Sequence, residues 1–309
     1  MKPTKVAVIG AGYLGKIHAR IYAECKKAEL IGICDIDEER AKALALQFET
    51  SPFLDYRQSI KKVDAVSITT PTCTHYKIAK DFLKHKIHVM VEKPITTNTR
   101  QAEQLISIAR KNRRILQVGH VERFNPAIKT LQRFCKTPQF IECHRLSPFP
   151  KRGTDINVIL DLMIHDIDII LSLVKSPLKN SQAIGVRVLS SFEDIANARL
   201  TFENGTVCNL TASRVSDEVM RKIRIFQKDS YISLDYASQK ITYYKKNRSE
   251  ITKKEIIVEK KEPLFEELYS FLQCIQQGKK PVVCGRDAKE ALSIALSLTQ
   301  KIRRSRNAK

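Results

Sequence analysis

Three stretches of the 309-residue chain place chemistry-bearing side chains at spacings that could do work. In "VEKPITT" (residues 91–97) the carboxylate of Glu92, the amine of Lys93 and Pro94 follow one another at the end of the apolar run "IHVMVE". Proline cannot donate to a sheet ladder, so the strand must stop there, and a cis or otherwise fixed Lys93–Pro94 peptide would hold the amine rigidly. In "VAVIGAGYLG", Gly10, Gly12 and Gly15 fall in G-x-G-x-x-G spacing directly after a strand-like run. In "LDLMIHDID", Asp161 and His165 are four residues apart, so on a helix they share one face and can reach the same substrate. Asp168 falls near the same stripe. The segment is otherwise rich in Ile and Leu, and polar groups on an apolar face need partners. Two uses therefore stand open, acid–base chemistry or a satisfied core histidine beside helix acids. A metal site from Asp161, His165 and Asp168 finds no matching ligand cluster elsewhere, and none is expected.

The glycines carry the firmest chemistry. The first permits a tight turn and the second lets backbone approach a pyrophosphate. The third allows close packing where a helix begins, with its N-terminal dipole toward the phosphates. Tyr13 and Leu14 lie within this loop and count among the cofactor-lining residues. The next strand, "LIGICD", ends in Asp35, twenty residues after Gly15, where an acid can bind a ribose 2′-hydroxyl. Its charge would repel a 2′-phosphate, so NAD is favoured over NADP, with Arg40 close enough in sequence to matter. The strand "AVSITT" runs into "TTPTCTHY". Ligands of open α/β sheets sit at strand carboxyl ends, which places Thr70, Pro71 and His75 at the cofactor's border; helix capping accounts equally well for Thr72 and Thr74.

The elements that must position these groups follow from the texture of the chain. Strand-like runs alternate with helical stretches over the first 120 or so residues, the pattern of a parallel sheet covered on both faces. Beyond residue 138 short β segments dominate, with an Asn204-Gly205 hairpin turn, and helices return near 156–174, 263–277 and 287–304. The expected fold is an α/β Rossmann domain over 1–122 and an α+β domain with a large open, mainly antiparallel sheet over 123–309. The last helix, 287–304, is expected to pack back on the Rossmann domain.

Composition bounds the class. Hydrophobic content of 43% and charged content of 28% fit a soluble globular protein. No apolar run has the length of a membrane span, and "MKPTK" leads straight into a strand with no secretory leader. The eight cysteines include no C-x-x-C pair, which points to reduced thiols in a cytoplasm. Lys+Arg 54 against Asp+Glu 33 gives +21. The basic residues are spread out, and only "KIRRSRNAK" is a dense cluster, so a lysine-rich solvated surface explains most of the excess. The charge also suits a phosphate-bearing substrate. No helix-turn-helix or basic arm supports a nucleic-acid partner.

In order and spacing, "GAGYLG", "TPTCTH", "EKP", "QVGHVERFNPA" and "PVVCGRDAKEALSIALSL" resemble the Gfo/Idh/MocA oxidoreductases (glucose–fructose oxidoreductase, inositol dehydrogenase and relatives) over essentially the whole chain. The resemblance implies an NAD(P)-dependent enzyme that oxidises a sugar or cyclitol hydroxyl, often a dimer or tetramer through its second sheet. It implies Lys93, Asp161 and His165 as the catalytic set, with Glu92 supporting the turn and cofactor. "GHVERFNPA" is similar to a branch that oxidises UDP-N-acetylglucosamine at C3 to supply a 3-keto sugar for amination in lipid A synthesis. There His120 would face the nicotinamide region, and Arg123 could hold a substrate phosphate or carboxylate bidentately; a salt bridge is the other use of Arg123. Many members carry D-x-G-x-H where this chain has Met163 in place of the glycine, which would reshape the pocket. Two other functions share these features: reduction of a non-sugar carbonyl or conjugated substrate, as in biliverdin reductases, and a cofactor-binding regulatory or nucleic-acid-associated role.

Overall fold

A computed structural model describes residues 2–149, 156–248 and 250–307. Within "GTDINVILDLMIHD", residues 153–155 lie outside the described residues, as do the last two of the basic tail. The chain forms two compact units, one made of the chain up to Val121 with Glu262–Glu290, the other of Glu122–Lys261 with the chain from Ala291 on.

The first unit alternates strand and helix: β1 (Thr4–Ile9), α1 (Tyr13–Glu24), β2 (Ala28–Cys34), α2 (Glu38–Gln47), β3 (Ser51–Phe53), β4 (Ala65–Ile68), α3 (Thr72–Lys84), β5 (His88–Glu92), α4 (Thr99–Lys111) and β6 (Leu116–Gly119). The sheet is parallel throughout, in the order β3-β2-β1-β4-β5-β6. This is the Rossmann order, whose ligand crevice lies at the reversal between β1 and β4. The interior strands β1, β4 and β5 are buried at nearly every position, as a sheet with both faces covered requires. β3, a three-residue edge strand containing Pro52, has no counterpart among the sequence-derived strands.

The second unit comprises α5 (Pro126–Phe134), β7 (Pro138–Leu146), a π-helical turn at Ile159–Met163 continuing as α6 (Ile164–Val174), and β8 (Leu178–Val186) to β14 (Glu250–Ile256). Between the last two lie β9 (Ile195–Phe202), β10 (Val207–Ser213), β11 (Met220–Gln227), β12 (Ser230–Asp235) and β13 (Lys240–Asn247). Eight strands form one sheet, β14-β13-β12-β11-β7-β10-β9-β8, antiparallel except where β10 runs parallel to β7. The Asn204-Gly205 turn joins β9 to β10, with Gly205 at φ +84°.

Two late helices complete the fold, α7 (Pro263–Gln277) and α8 (Gly285–Asn307). The expectation for the last helix needs correction. It is α7 that packs in the first unit's core, through Leu268, Phe271 and Leu272 beside Val6, Tyr22 and Met90. From Ala291 onward α8 buries Ala291, Ile294, Ala295, Leu298 and Ile302 in the second unit's core. Both helices carry an apolar stripe of helical period, so periodicity alone does not say which core each one fills.

His88 at the start of β5 links this sheet to pH. Its Nδ1 accepts the Ile115 N–H at 3.0 Å, a bond that protonation at Nδ1 would destroy. Burial, and then the Arg114 charge, push its pKa from 6.5 down to about 4. The unfolded chain thus takes up a proton that the folded chain refuses between those values, and stability falls as pH drops through the window. Chemical denaturation at about pH 7 and about pH 4.5 should show a loss on the order of 2 kcal/mol attributable to this group, absent from the difference curve of His88→Gln.

Candidate active site

β1 hands over to the glycine turn. Gly10 has φ +106°, and a Cβ there would lie 2.9 Å from Thr69. A Cβ on Gly15 would sit 1.8 Å from the Gly10 carbonyl oxygen, so both positions need glycine for backbone or packing reasons. Gly12 needs it for neither. Its φ of −74° suits any residue, and a Cβ would meet nothing within 4 Å. Open space directly over the N-terminus of α1 is the cradle a pyrophosphate requires. Tyr13 and Leu14 stand exposed beside it. Asp35, just past β2, is tied to the turn: its Oδ2 accepts the Ala11 N–H at 2.7 Å and its Oδ1 the Asp37 N–H at 3.0 Å. A carboxylate keeps spare lone pairs after two such bonds, so a ribose hydroxyl fits there too. Gly12→Val should therefore leave the thermal midpoint within a few degrees while weakening NADH affinity at least ~10-fold, about 1.4 kcal/mol, by calorimetry; Gly15→Val should disrupt the fold itself.

After β4, Thr70 Oγ1 and Thr74 Oγ1 lie 2.7 Å apart, and Pro71 is exposed. His75 departs from expectation. It is buried, with Nδ1 2.9 Å from the Pro94 carbonyl and Nε2 2.8 Å from the Thr70 carbonyl. Burial lowers its pKa against those two hydrogen bonds. It braces the Thr70 loop to the Pro94 turn and does not line a ligand surface with its ring.

β5 ends at Glu92, the Lys93–Pro94 peptide is cis, and Lys93 is half-buried. Glu92 is only 7% exposed. Burial raises its pKa, but contact with His18 and the charge and backbone N–H of Lys93 outweigh it and lower it overall. His18 Nε2 lies 3.2 Å from Glu92 Oε1, and the Lys93 N–H donates to Glu92 Oε2 at 3.2 Å. Gly119 at the end of β6 lies against this carboxylate, where a Cβ would come within 2.7 Å of Oε2. His120 follows it, buried. His18 was not among the sequence candidates; the one sign of it is a histidine three residues beyond Gly15, on what reads as an ordinary amphipathic helix.

In the second unit, Asp161 lies in the π-helical turn and His165 at the start of α6. A π-turn inserts an extra residue per turn and recurs at functional sites. From Asn157 to Ile170 the half-exposed positions are Leu160, Asp161, Leu162 and His165, all others being buried. The acid and the histidine are therefore on the accessible side of a core helix. Met163 is buried among the core residues, so it shapes packing and not a pocket wall. Asp168 is 2% exposed and pairs with Arg123, whose Nη1 lies 3.3 Å from its Oδ1. Arg123 thus serves a salt bridge within this unit, which corrects the expectation of a guanidinium open to substrate.

Beneath the helix lies a network that the sequence did not reveal. Arg145 forks onto Asp166 through Nε and Nη2, both at 3.0 Å, and its Nη1 reaches Glu122 at 3.2 Å. Tyr236 O–H donates to Asp166 at 2.9 Å, and Asn125 donates to Glu122 at 3.2 Å. All five side chains are buried. Removing the arginine would strand two buried carboxylates, so Arg145→Leu should cost about 3–5 kcal/mol in urea unfolding.

A Rossmann-ordered sheet with an open glycine cradle at its switch point, and a lysine mounted at the end of β5, defines an NAD(P)-binding oxidoreductase. The chain belongs to the GFO/IDH/MocA family: residues 4–120 match the oxidoreductase family model with NAD-binding Rossmann fold, and residues 138–231 match the GFO/IDH/MocA C-terminal domain. It is 36% identical over 302 residues to UDP-N-acetylglucosamine 3-dehydrogenase of Acidithiobacillus ferrooxidans, spanning 95% of this chain and 96% of that one. A solved structure of UDP-N-acetylglucosamine 3-dehydrogenase from that organism superposes with a TM-score of 0.93 at 35% identity, covering 98% of each chain. Myo-inositol 2-dehydrogenase of Thermotoga maritima is 25% identical, over 99% of this chain and 98% of its own.

Proposed function

We propose that this chain is an NAD-dependent dehydrogenase that oxidises the C3 hydroxyl of the sugar ring of UDP-N-acetylglucosamine to a ketone. The observation that carries the reading is the 36% identity to a dehydrogenase of that name, sustained across 95% of the chain, in a sequence that keeps Lys93, Asp161 and His165 in the family's motif order. When bound, the nicotinamide supplies the hydride acceptor. His165 takes the hydroxyl proton as general base, the role imidazole most often fills in proton transfer. Lys93 donates a hydrogen bond to the reacting oxygen and stabilises developing alkoxide charge. Asp161 binds a neighbouring hydroxyl and helps orient the histidine, and His120 contributes to the nicotinamide side.

NAD is preferred to NADP on two grounds. The Asp35 carboxylate beside the glycine turn repels a 2′-phosphate, and Arg40, the nearby cation, is occupied by Asp37, with Nε 3.0 Å from its Oδ2. The cysteines are free thiols, and among the described residues no helix is long and apolar enough to cross a membrane. Both support a cytoplasmic enzyme. On the face of the second sheet turned from the core, Phe140, Phe226, Tyr231 and Tyr244 stack across adjacent strands at 4.8–5.7 Å between ring centroids. This partly exposed aromatic ladder supports assembly into a dimer or tetramer through the sheet.

The test is NADH formation with UDP-N-acetylglucosamine beside other UDP-sugars, myo-inositol and, in the reducing direction, biliverdin. Turnover confined to UDP-N-acetylglucosamine is expected, and turnover only of a polyol or a tetrapyrrole would sink the assignment. Lys93→Ala and His165→Ala should each lower kcat by roughly 10²–10⁴ while NADH affinity stays within about threefold. A Lys93→Ala enzyme with normal turnover would remove the lysine from the mechanism.

A further inference from the structure

A buried line of polar groups joins the cofactor-binding helix to the lysine turn. Tyr22 and His18 stand on the inner face of α1, Ser67 on β4 and Glu92 at the end of β5, and each is less than 10% exposed. The Tyr22 O–H donates to Ser67 Oγ over a long 3.4 Å, and Ser67 Oγ lies 2.7 Å from His18 Nδ1. His18 Nε2 lies 3.2 Å from Glu92 Oε1, and Glu92 Oε2 accepts the Lys93 N–H. Two proton arrangements satisfy these contacts, and both put a proton on Nε2 facing Glu92; a doubly protonated ring donates to Ser67 through Nδ1, and a neutral ring accepts from Ser67 there. In the neutral arrangement Tyr22 donates to Ser67, Ser67 donates to His18 Nδ1, and the Nε2–H faces Glu92. In either arrangement the carboxylate has one oxygen turned to His18, while the other accepts the Lys93 N–H.

We propose that His18 is a positioning residue for Lys93: through Ser67 and Glu92 it fixes the carboxylate that holds the Lys93 backbone, and so couples the helix under the glycine cradle to the turn that presents the amine. The inference rests on Lys93 acting in the reaction. Without His18 the Glu92 carboxylate would lose its partner on β5's inner side and be driven toward its neutral form, because an unpaired buried charge is costly. A neutral carboxyl accepts the Lys93 N–H less strongly, and the turn loosens. The carboxylate packs directly against Gly119, where a Cβ would lie 2.7 Å from Oε2.

Other groups that titrate or carry charge near this line are Lys93 itself, His75 on α3, whose pKa responds to the Glu92 charge, and Glu267 on α7 and Cys25, which act on Tyr22. His120 follows Gly119 in the chain. The measurement must therefore report on Glu92 directly.

Carbon-13 NMR of protein labelled at the glutamate carboxyl, with the Glu92 signal assigned by its loss in Glu92→Gln, follows that one titration without any substrate. The Glu92 midpoint should rise by at least about 1 pH unit in His18→Leu, less in His18→Gln, which keeps a donor near Nε2, and detectably in Ser67→Ala. The last is a small change that preserves the fold should His18→Leu unfold. In turnover assays the acid limb of kcat should move up with the NMR midpoint, and kcat below neutrality should fall about 10–100-fold, while NADH affinity changes by less than about threefold. Unchanged Glu92 titration in both His18→Gln and Ser67→Ala overturns the proposal. So does a shifted titration with an unmoved kcat profile in an enzyme that is active on its sugar. If the wild-type chain turns over no UDP-sugar while the NMR shifts appear, the link to Glu92 stands and the assigned reaction falls.

Discussion

The arrangement around the lysine depends on one requirement, that a carboxylate remain ionised in the interior of a parallel sheet. Glu92 is buried at the end of β5 beside Gly119 of β6, and an isolated ion there would cost several kcal/mol. The surrounding residues supply what water would have supplied. A histidine reaches from α1, a backbone amide comes from the residue that follows, and Gly119 gives up its side chain so that the carboxylate has a place to sit. The cis turn and the strand's end at Glu92 sit on this arrangement, which is why a charged pair can close an otherwise apolar strand.

The second unit meets the same difficulty by another route. Its helix carrying Asp161 and His165 is largely apolar, yet it also bears Asp166 and Asp168 on buried positions. Each of these acids has its own arginine, Arg145 from β7 and Arg123 from the short turn before α5. The two arginines hold the helix by its charged side and leave the other two polar residues on the accessible side. Of the four acids and histidines in this stretch, the two that are buried, Asp166 and Asp168, each meet an arginine.

Much of this was legible in the sequence where the signal is local. The glycine spacing, the proline after Lys93 and the Asn-Gly turn each act through neighbouring backbone, and each sits where the sequence placed it. What was not legible depends on contacts between residues far apart in the chain. His18 looks like any polar residue on an amphipathic helix until Glu92, 74 residues later, is found beside it. His75 and Arg123 carry the residue types of a ligand site, and only tertiary contacts show them engaged with backbone carbonyls and a buried aspartate. α5 does carry a local start signal, with Asn125 capping it and Pro126 in its first turn. Which core α7 and α8 fill could not be read at all, since both carry stripes of the same period.

The late return of α7 bears on how the protein is made. The nucleotide-binding unit is discontinuous: Leu268, Phe271 and Leu272 close its core, yet they follow the eight-stranded sheet in the chain. On the ribosome, β1 to β6 emerge first and must wait through about 140 further residues for the helix that covers Tyr22 and Met90, a delay of several seconds to half a minute at ordinary elongation rates. During that interval the first unit exposes an apolar face that the finished protein hides. A nascent-chain chaperone has its natural client there, and fragments cut after Val121 would inherit the same exposed surface permanently.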